Sequence, residues 1–314
     1  MPKAPAVLMV FTGGTISMKI VPGRGAVPAR GGQEILDQVP ELRALASITC
    51  EDFDRLPGPH WTVERMFALA RHLDARLAGD DFAGAVVTHG TDTLEETAYL
   101  LDLVLATNRP VVLTGAMKTA DDPAWDGPAN LADSVRAVTA SGDREAGVAV
   151  MMGGTLHAAR RVVKSHTEAP DAFTSAGDGP RLRERIETER LEPRVDLVTA
   201  CAGCDGKFLR HAVGTGARGI VLEAFGSGNV PPAMLEGVKE AVAAGVCVVV
   251  ASRCGDGATA PRYGYPGGGV TLKDAGAIFA GRLPGPKARI KLMVLLGAGA
   301  PPAMIRASFE NPGS

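Results

Sequence analysis

The chain has 314 residues and a formal net charge of −2, with 46% hydrophobic and 22% charged residues. This length and balance allow a large buried core and two domains, and exclude the broad positive charge that binds nucleic acid or anionic membranes. The amino terminus, MPKAPAVLMVF, lacks the features of a secretory signal, and no apolar run is long enough to span a membrane. We therefore expect a soluble, cytoplasmic protein with no nucleic-acid or membrane partner.

The cysteines and histidines give no sign of a disulfide framework or a metal site. Five cysteines, an odd number, fit a reducing compartment better than a set of disulfides. Cys201 and Cys204 form one C-x-x-C without the second pair or nearby histidines of a zinc site, which favours buried or idle thiols. The histidines show no ligand spacing such as H-E-x-x-H, so we expect no metal.

Apolar runs alternate with helical patterns along the first half of the chain. This alternation predicts an α/β fold with a doubly wound, mostly parallel sheet. The segment 17–33 is crowded with Gly, Pro and Arg, and we interpret it as a mobile loop and a candidate lid. The predicted strands are 6–11, 48–53, 85–87, 111–114 and 148–152, and the predicted helices are 34–39, 62–77, 94–106 and 130–141.

The second half of the chain predicts a separate, smaller α/β domain. The sequence pattern changes at 153–167, which resembles two short strands around a turn. Residues 168–194 are charged and rich in Gly and Pro. We predict an N-terminal domain at 1–180, a linker at 181–194 and a C-terminal domain at 195–314. In the last of these, strands are expected at 195–199, 219–223 and 246–252, and helices at 232–244, 286–297 and 302–309.

Two threonine-bearing glycine turns follow predicted strands. TGGTI at 12–16 follows the first strand, and HGTDT at 89–93 follows the strand at 85–87. Open α/β sheets bind ligands at such strand ends, and glycine lets the backbone approach a ligand closely. A structural alternative exists, because Thr93 and Glu96 match a capping box and Thr12 and Asp92 could be turn formers. The presence of two such turns favours a functional site.

These residues could support nucleophilic chemistry. A threonine hydroxyl needs a base or a proton relay to become a nucleophile. Lys164, just beyond the short strand 162–163, could supply the relay, and Asp92 the counter-charge or a contact for a cationic substrate group. Turn amides could stabilise an oxyanion. Phosphate binding is the competing use, but TGGTI matches neither the P-loop nor G-x-G-x-x-G, and the chain lacks the G-x-S-x-G of serine hydrolases.

With these residues in place, the chain resembles the bacterial-type L-asparaginase/glutaminase family of amidohydrolases. TGGTI and HGTDTLEET, in this order and spacing, are the specific part of the match. The resemblance extends over nearly the whole chain, to TGAMK and DGPANL within 114–131, RRVVKSHT at 160–167, GSGN at 226–229 and PKARIKL at 286–292.

The resemblance implies an L-asparaginase that hydrolyses L-asparagine to L-aspartate and ammonia without a metal or organic cofactor. It implies that Thr15 is the nucleophile that forms an acyl-enzyme. Thr91, Asp92 and Lys164 resemble the family's second catalytic constellation, in which Asp92 also grips the substrate's α-ammonium group.

The resemblance further implies substrate contacts and an assembly. The backbone of Thr91, given room by Gly90, would donate to the oxyanion, and the backbone at Ala116 would contact the substrate near the ammonia site. Family members are typically homotetramers of dimers in which a neighbouring subunit completes each site. We therefore expect a homo-oligomer.

The chain departs from the family pattern at three places, and each departure removes a side chain that would contact the substrate or the nucleophile. Residues 17–33 contain no tyrosine, Gly58 and Pro59 stand where the family has a serine-glutamine pair, and 264–269 offers no counterpart of the neighbouring subunit's glutamate. The alternatives are therefore an amidase for glutamine or another small amide, and a non-catalytic amino-acid-binding protein. A subunit of a tRNA-dependent amidotransferase is disfavoured, because no appended domain is evident.

Overall fold

The computed structural model describes residues 4–140, 147–175 and 183–310, and it divides into two units, 1–175 and 176–314. The predicted boundary between residues 180 and 181 lies outside the described residues and stays a prediction. The last residue of the helix predicted at 130–141 also lies outside them.

The first unit contains a six-stranded sheet whose neighbouring strands are parallel except for the last pair. The described strands of the whole unit, within and outside this sheet, are β1 (Ala6–Gly13), β2 (Met18–Val21), β3 (Gly25–Pro28), β4 (Ser47–Leu56), β5 (Gly84–Thr88), β6 (Val111–Thr114), β7 (Val148–Met152), β8 (Thr155–Ala158), β9 (Val162–Lys164) and β10 (Phe173–Ser175). The sheet order is β4-β1-β5-β6-β7-β8, with β7 and β8 antiparallel. The predicted α/β class with a mostly parallel sheet is confirmed.

Helices cover this sheet and bury its central strands on both faces. They are α1 (Gly32–Asp37), α2 (Leu42–Leu45), α3 (Val63–Arg76), α4 (Leu94–Val104) and α5 (Gly127–Ala140). Helix α5 packs against β5 and β6, and α4 packs against β7. Because both faces are covered, β1 and β5 are continuous buried runs rather than alternating ones.

The connection order creates a crevice at the carboxyl ends of β1 and β5. From β1 the chain reaches β4 on one side of β1, and later β5 on its other side. Such a reversal is the topological switch point where open α/β sheets bind ligands. Phe11 of β1 pairs with Thr88 of β5, so the two threonine turns begin at the same level of the sheet.

The segment 17–33 is not the loop that its composition predicts, because it contains an antiparallel hairpin of β2 and β3. The carboxylate of Asp121 fixes this hairpin to the chain by accepting the backbone N–H of Ile20 at 3.0 Å and the Arg30 guanidinium at 2.8 Å. The local sequence shows many turn formers but not the distant carboxylate, so composition alone does not reveal the hairpin.

The segment 153–167 contains the two short strands that we predicted. β8 pairs with β7, while β9 pairs antiparallel with β10 and places Lys164 opposite Phe173. Lys164 is therefore held by a strand pair rather than by a free loop.

The second unit has a parallel sheet in the order β11-β12-β13-β14. Its strands are β11 (Val195–Thr199), β12 (Gly219–Ala224), β13 (Cys247–Ser252) and β14 (Ile278–Phe279). Its helices are α6 (Lys207–Gly214), α7 (Pro232–Ala243), α8 (Gly269–Asp274), α9 (Gly285–Gly297) and α10 (Pro302–Glu310). The predicted strands and helices are confirmed to within two residues, whereas α6, α8 and β14 were not predicted.

The described part of the predicted linker belongs to this second unit. Glu184 accepts a hydrogen bond from the fully buried Lys291 at 2.5 Å, and Lys291 also donates to the Ser308 carbonyl at 2.6 Å. Residues 183–194 contain neither helix nor strand. Across the described ranges, no helix has both the length and the hydropathy needed to cross a membrane.

Candidate active site

Three glycines bring the turns at the strand ends into backbone contact. A Cβ atom on Gly14 would lie 2.6 Å from Cα of Gly90, and a Cβ atom on Gly90 would lie 2.5 Å from the backbone nitrogen of Gly58. Gly14 also has a φ of 84°, which disfavours any other residue. This glycine stack, Gly14–Gly90–Gly58, places the half-buried Thr15 beside the turn that carries Thr91.

Side-chain hydrogen bonds fix the first turn to its neighbour. The Thr12 hydroxyl donates to the Thr88 carbonyl at 2.6 Å, and the Ser17 hydroxyl donates to the Gly14 carbonyl at 2.8 Å. Thr12 is fully buried and its hydroxyl is engaged in this bond, as the turn-forming alternative expects. Two side-chain hydrogen bonds therefore hold the turn that precedes and follows Thr15.

Lys164 joins Thr91 and Asp92 into one cluster. Its Nζ atom donates to Oγ1 of Thr91 at 3.0 Å and to Oδ1 of Asp92 at 2.7 Å. Its backbone N–H donates to the carboxylate of Glu95 at 2.9 Å, which attaches β9 to the first turn of α4. The Lys164 side chain is 17% exposed, whereas that of Asp92 is 56% exposed. An amine between a hydroxyl and a carboxylate has the geometry of a proton relay.

Thr93 has a different role from the one that we predicted. It precedes α4, but its hydroxyl makes no capping bond and donates to the carbonyl of Gly58 at 2.8 Å. The capping box with Glu96 is therefore wrong. The tertiary partner, 35 residues away, takes the hydroxyl and ties the Gly58 turn to the Thr91 turn.

His89 and Trp61 support this turn, and sequence reasoning gave His89 no role. The ring of His89 is fully buried and contacts Trp61 with centroids 4.5 Å apart. Its Nδ1 lies 2.9 Å from the Gly90 carbonyl and its Nε2 lies 3.0 Å from the Thr97 hydroxyl. A carbonyl can only accept, so Nδ1 carries the proton. Burial lowers the pKa of His89 to about 4, against a smaller opposing effect of the Gly90 carbonyl.

The loop at 115–126 places Ala116 next to the same turn. Ala116 is fully buried, and a Cβ atom on Gly115 would lie 2.6 Å from the His89 carbonyl oxygen. The Asn130 amide donates to the Gly115 carbonyl at 3.1 Å, and Asp126 accepts the backbone N–H of Met117 at 3.0 Å. The backbone at Ala116 is therefore held by side chains of the loop and of α5.

Comparison with known proteins gives two family models that together match most of the chain. A model of the N-terminal asparaginase domain matches residues 6–194, and a model of the glutaminase/asparaginase C-terminal domain matches 194–309. The chain belongs to the asparaginase family. It is 40% identical to a probable L-asparaginase of Deinococcus radiodurans, over 98% of each chain.

More distant asparaginase relatives share the fold and include other enzymes. The crystal structure of a probable cytoplasmic L-asparaginase from Campylobacter jejuni matches with a TM-score of 0.86 and 28% identity, over 98% of this chain and 99% of that one. A glutamyl-tRNA(Gln) amidotransferase subunit of Archaeoglobus fulgidus is 32% identical over 93% of this chain and 75% of that protein. Family membership makes this chain an amidohydrolase.

One departure from the asparaginase pattern is the pair Gly58 and Pro59. Gly58 is buried within the glycine stack, and a Cβ atom there would lie 3.2 Å from Cβ of Asp92. Pro59 is exposed and has no amide hydrogen, so the backbone N–H of Gly58 is the donor that this pair retains. His60 next to them is also exposed.

Proposed function

We propose that the protein is an L-asparaginase that hydrolyses L-asparagine to L-aspartate and ammonia through an acyl-enzyme on Thr15. The proposal uses no metal or organic cofactor. The observation that carries it is the contact of Lys164 with Thr91 and Asp92 at 3.0 and 2.7 Å, next to the turn that presents Thr15. Family membership supports the same chemistry.

In the first half of the proposed reaction, Oγ of Thr15 attacks the side-chain amide carbon. The electron pair moves to the carbonyl oxygen, which the backbone N–H of Thr91 stabilises from the turn after β5. Collapse of this intermediate breaks the C–N bond. The nitrogen takes up the proton that the Thr15 hydroxyl loses and leaves as ammonia, and the aspartyl group stays on Thr15 as an ester.

In the second half, water attacks the ester and Thr15 is released. We assign Thr91 and Lys164 to the relay that takes the proton from this water, because their hydrogen bond of 3.0 Å provides a direct path. Asp92 accepts a hydrogen bond from the same amine and holds it beside Thr91. As the ester C–O bond breaks, the relay passes the proton to the departing Thr15 oxygen, so the products are L-aspartate and free Thr15.

Substrate binding is assigned to the exposed side of the same cluster. The carboxylate of Asp92 is more than half exposed and can pair with the α-ammonium group. The Gly58 amide and the backbone at Ala116 face the same turn and can contact the rest of the substrate. Backbone groups therefore replace the side chains of the serine-glutamine pair.

Ammonia release from L-asparagine tests this proposal. Thr15→Ala and Thr91→Ala are each expected to lower kcat by at least about 10³-fold, because each removes a group that reacts or relays protons. Thr139→Ala is the matched control, since this threonine bonds to the Val135 carbonyl within α5. Absence of ammonia release by the folded wild-type protein would refute the asparaginase assignment.

A second candidate is the same mechanism with L-glutamine or another small amide. The missing side chains around Gly58 motivate it, because a lost hydrogen bond to a charged substrate group costs about 1.5–3 kcal/mol. Comparison of kcat/KM for asparagine and glutamine decides between them. A higher kcat/KM for glutamine would make glutamine the proposed substrate and leave the proposed mechanism unchanged.

Two other functions predict different outcomes. An amino-acid-binding protein would bind aspartate in calorimetry and release no ammonia. An amidotransferase subunit, as the Archaeoglobus relative is named, would need a partner protein for full turnover.

We propose a cytoplasmic location, supported by the similarity to the probable cytoplasmic L-asparaginase from Campylobacter jejuni.

A further inference from the structure

A pair of thiols in the second unit lies outside all the residues assigned to hydrolysis. Cys201 and Cys204 follow β11 and precede α6. We expected buried or idle thiols here, but Cys201 is exposed and Cys204 is partly exposed. The chain enters this turn at a fixed point, because Ala200 is buried and its carbonyl accepts the guanidinium of Arg253 at 3.1 Å.

The backbone between the two cysteines is a tight turn. The N–H of Cys204 donates to the carbonyl of Cys201 at 3.1 Å, and Gly203 in the third position has a φ of 80°. A left-handed glycine at this position is typical of a type II turn, whose end Cα atoms are less than about 7 Å apart. Disulfides bridge Cα atoms about 4.4–6.8 Å apart, so the turn preorganises a cross-link.

The two sulfur atoms already face each other. They lie 2.9 Å apart in a hydrogen bond, and the N–H of Cys201 also donates to Sγ of Cys204 at 3.0 Å. These two donors lower the pKa of the Cys204 thiol, against smaller opposing effects of burial and of Asp205. The thiolate that starts thiol–disulfide exchange therefore forms preferentially on Cys204.

The other cysteines do not share these features. Burial raises the pKa of both Cys50 and Cys247 to about 11, which keeps them as thiols. Cys254 is exposed but contacts no second sulfur in the part of the chain that the structure describes. Metal binding is also disfavoured, since no group of three or more His, Cys, Asp or Glu residues is arranged to hold an ion there.

We propose that Cys201 and Cys204 are a redox-active dithiol that small-molecule disulfides oxidise reversibly to an intramolecular disulfide. The thiolate of Cys204 attacks one sulfur of the small disulfide, forms a mixed disulfide and expels one thiolate. Cys201 then loses its proton to that thiolate, attacks Sγ of Cys204 and expels the second thiolate, which takes a proton from water. Two protein thiols and one small disulfide thus become one protein disulfide and two small thiols.

Titration of the full chain with mixtures of reduced and oxidised glutathione tests this. After alkylation of the remaining thiols, the tryptic peptide 195–207 is expected to lose two hydrogens while the other three cysteines stay alkylated. The equilibrium constant for oxidation should be at least about tenfold larger in the native protein than in protein unfolded by guanidinium, equivalent to about 30 mV. Reduction with dithiothreitol should restore all thiols.

Single variants separate the two roles. Cys201→Ser should keep one glutathione on Cys204, because no second thiol resolves the mixed disulfide, and Cys204→Ser should react several-fold more slowly. Cys254→Ser is the matched control and should form the 201–204 disulfide like the wild type. Native protein that retains all five alkylatable thiols under conditions that oxidise the unfolded chain would overturn the proposal, as would mixed disulfides that never close.

Discussion

Lys164 is the side chain through which Thr91 and Asp92 act together. We predict that Lys164→Met lowers kcat for asparagine by about 10²–10⁴-fold, because methionine keeps the length of the side chain but cannot relay a proton. Its effect on unfolding should be small, since the ion pair with Asp92 is partly exposed. Steady-state ammonia assays and urea unfolding measure both.

Lys19→Met is the control for charge removal, because Lys19 is exposed on β2. It should leave kcat unchanged. Full kcat in Lys164→Met would contradict the relay.

His89 predicts a pH dependence of stability. Its pKa is about 4 in the folded protein against 6.5 for an ordinary histidine, so between these values the unfolded chain binds more protons. Its contribution is therefore complete above about pH 6.5 and is lost as the pH falls towards 4, by on the order of 3 kcal/mol. His89→Asn, which keeps a donor for the Gly90 carbonyl, should flatten this part of the unfolding free energy against pH.

Urea unfolding at pH 7 and pH 4.5 measures the slope. His60→Asn is the control, because His60 is exposed, and its unfolding free energy should have the same slope against pH as that of the wild type. Equal slopes in wild type and His89→Asn would show that His89 is not held neutral.

At the scale of elements, Asp121 holds the β2–β3 hairpin. The Ile20 amide, and to a smaller extent Arg30, hold the pKa of its carboxyl below the ordinary range, so the carboxylate that makes the contact stays charged into more acidic solution. We predict that Asp121→Ala makes the Ile20 amide exchange with solvent several-fold faster and raises cleavage by trypsin after Arg24, in the hairpin turn.

Asp122→Ala is the matched control, because this neighbouring carboxylate accepts the Ala124 amide instead of a group in the hairpin. Exchange at Ile20 that is unchanged in Asp121→Ala would mean that the strands hold together without the carboxylate.

Elements whose signal is local can be predicted from sequence, and those whose partner is distant cannot. β1 and β5 are recognisable because strands buried on both faces are continuously apolar. The hairpin cannot be predicted because Asp121, which accepts its Ile20 amide, lies about 100 residues further along the chain. Thr93 is misassigned for a similar reason, because a local capping pattern does not contain its partner, Gly58. Residues of the candidate site are found through their glycine turns, whereas the support from His89 depends on burial.

At the scale of the whole molecule, the resemblance to tetrameric amidohydrolases predicts a homo-oligomer. Light scattering should give a mass that is a multiple of the 32.4 kDa chain, near four times that value for a tetramer. If a neighbouring subunit completes each site, activity per chain should fall when dilution dissociates the oligomer. A fully active monomer would contradict both expectations.

An acyl-enzyme on Thr15 is the intermediate that the proposed mechanism requires, and it can be trapped directly. Protein mixed with asparagine and quenched in acid within milliseconds should gain the mass of one aspartyl group, mapped to the peptide that contains Thr15. Thr15→Ala should gain no mass. In Thr91→Ala, an ester that forms but hydrolyses slowly would place Thr91 in the second half of the reaction. Turnover by the wild-type protein with the label on another residue, or full turnover by Thr15→Ala, would contradict the mechanism.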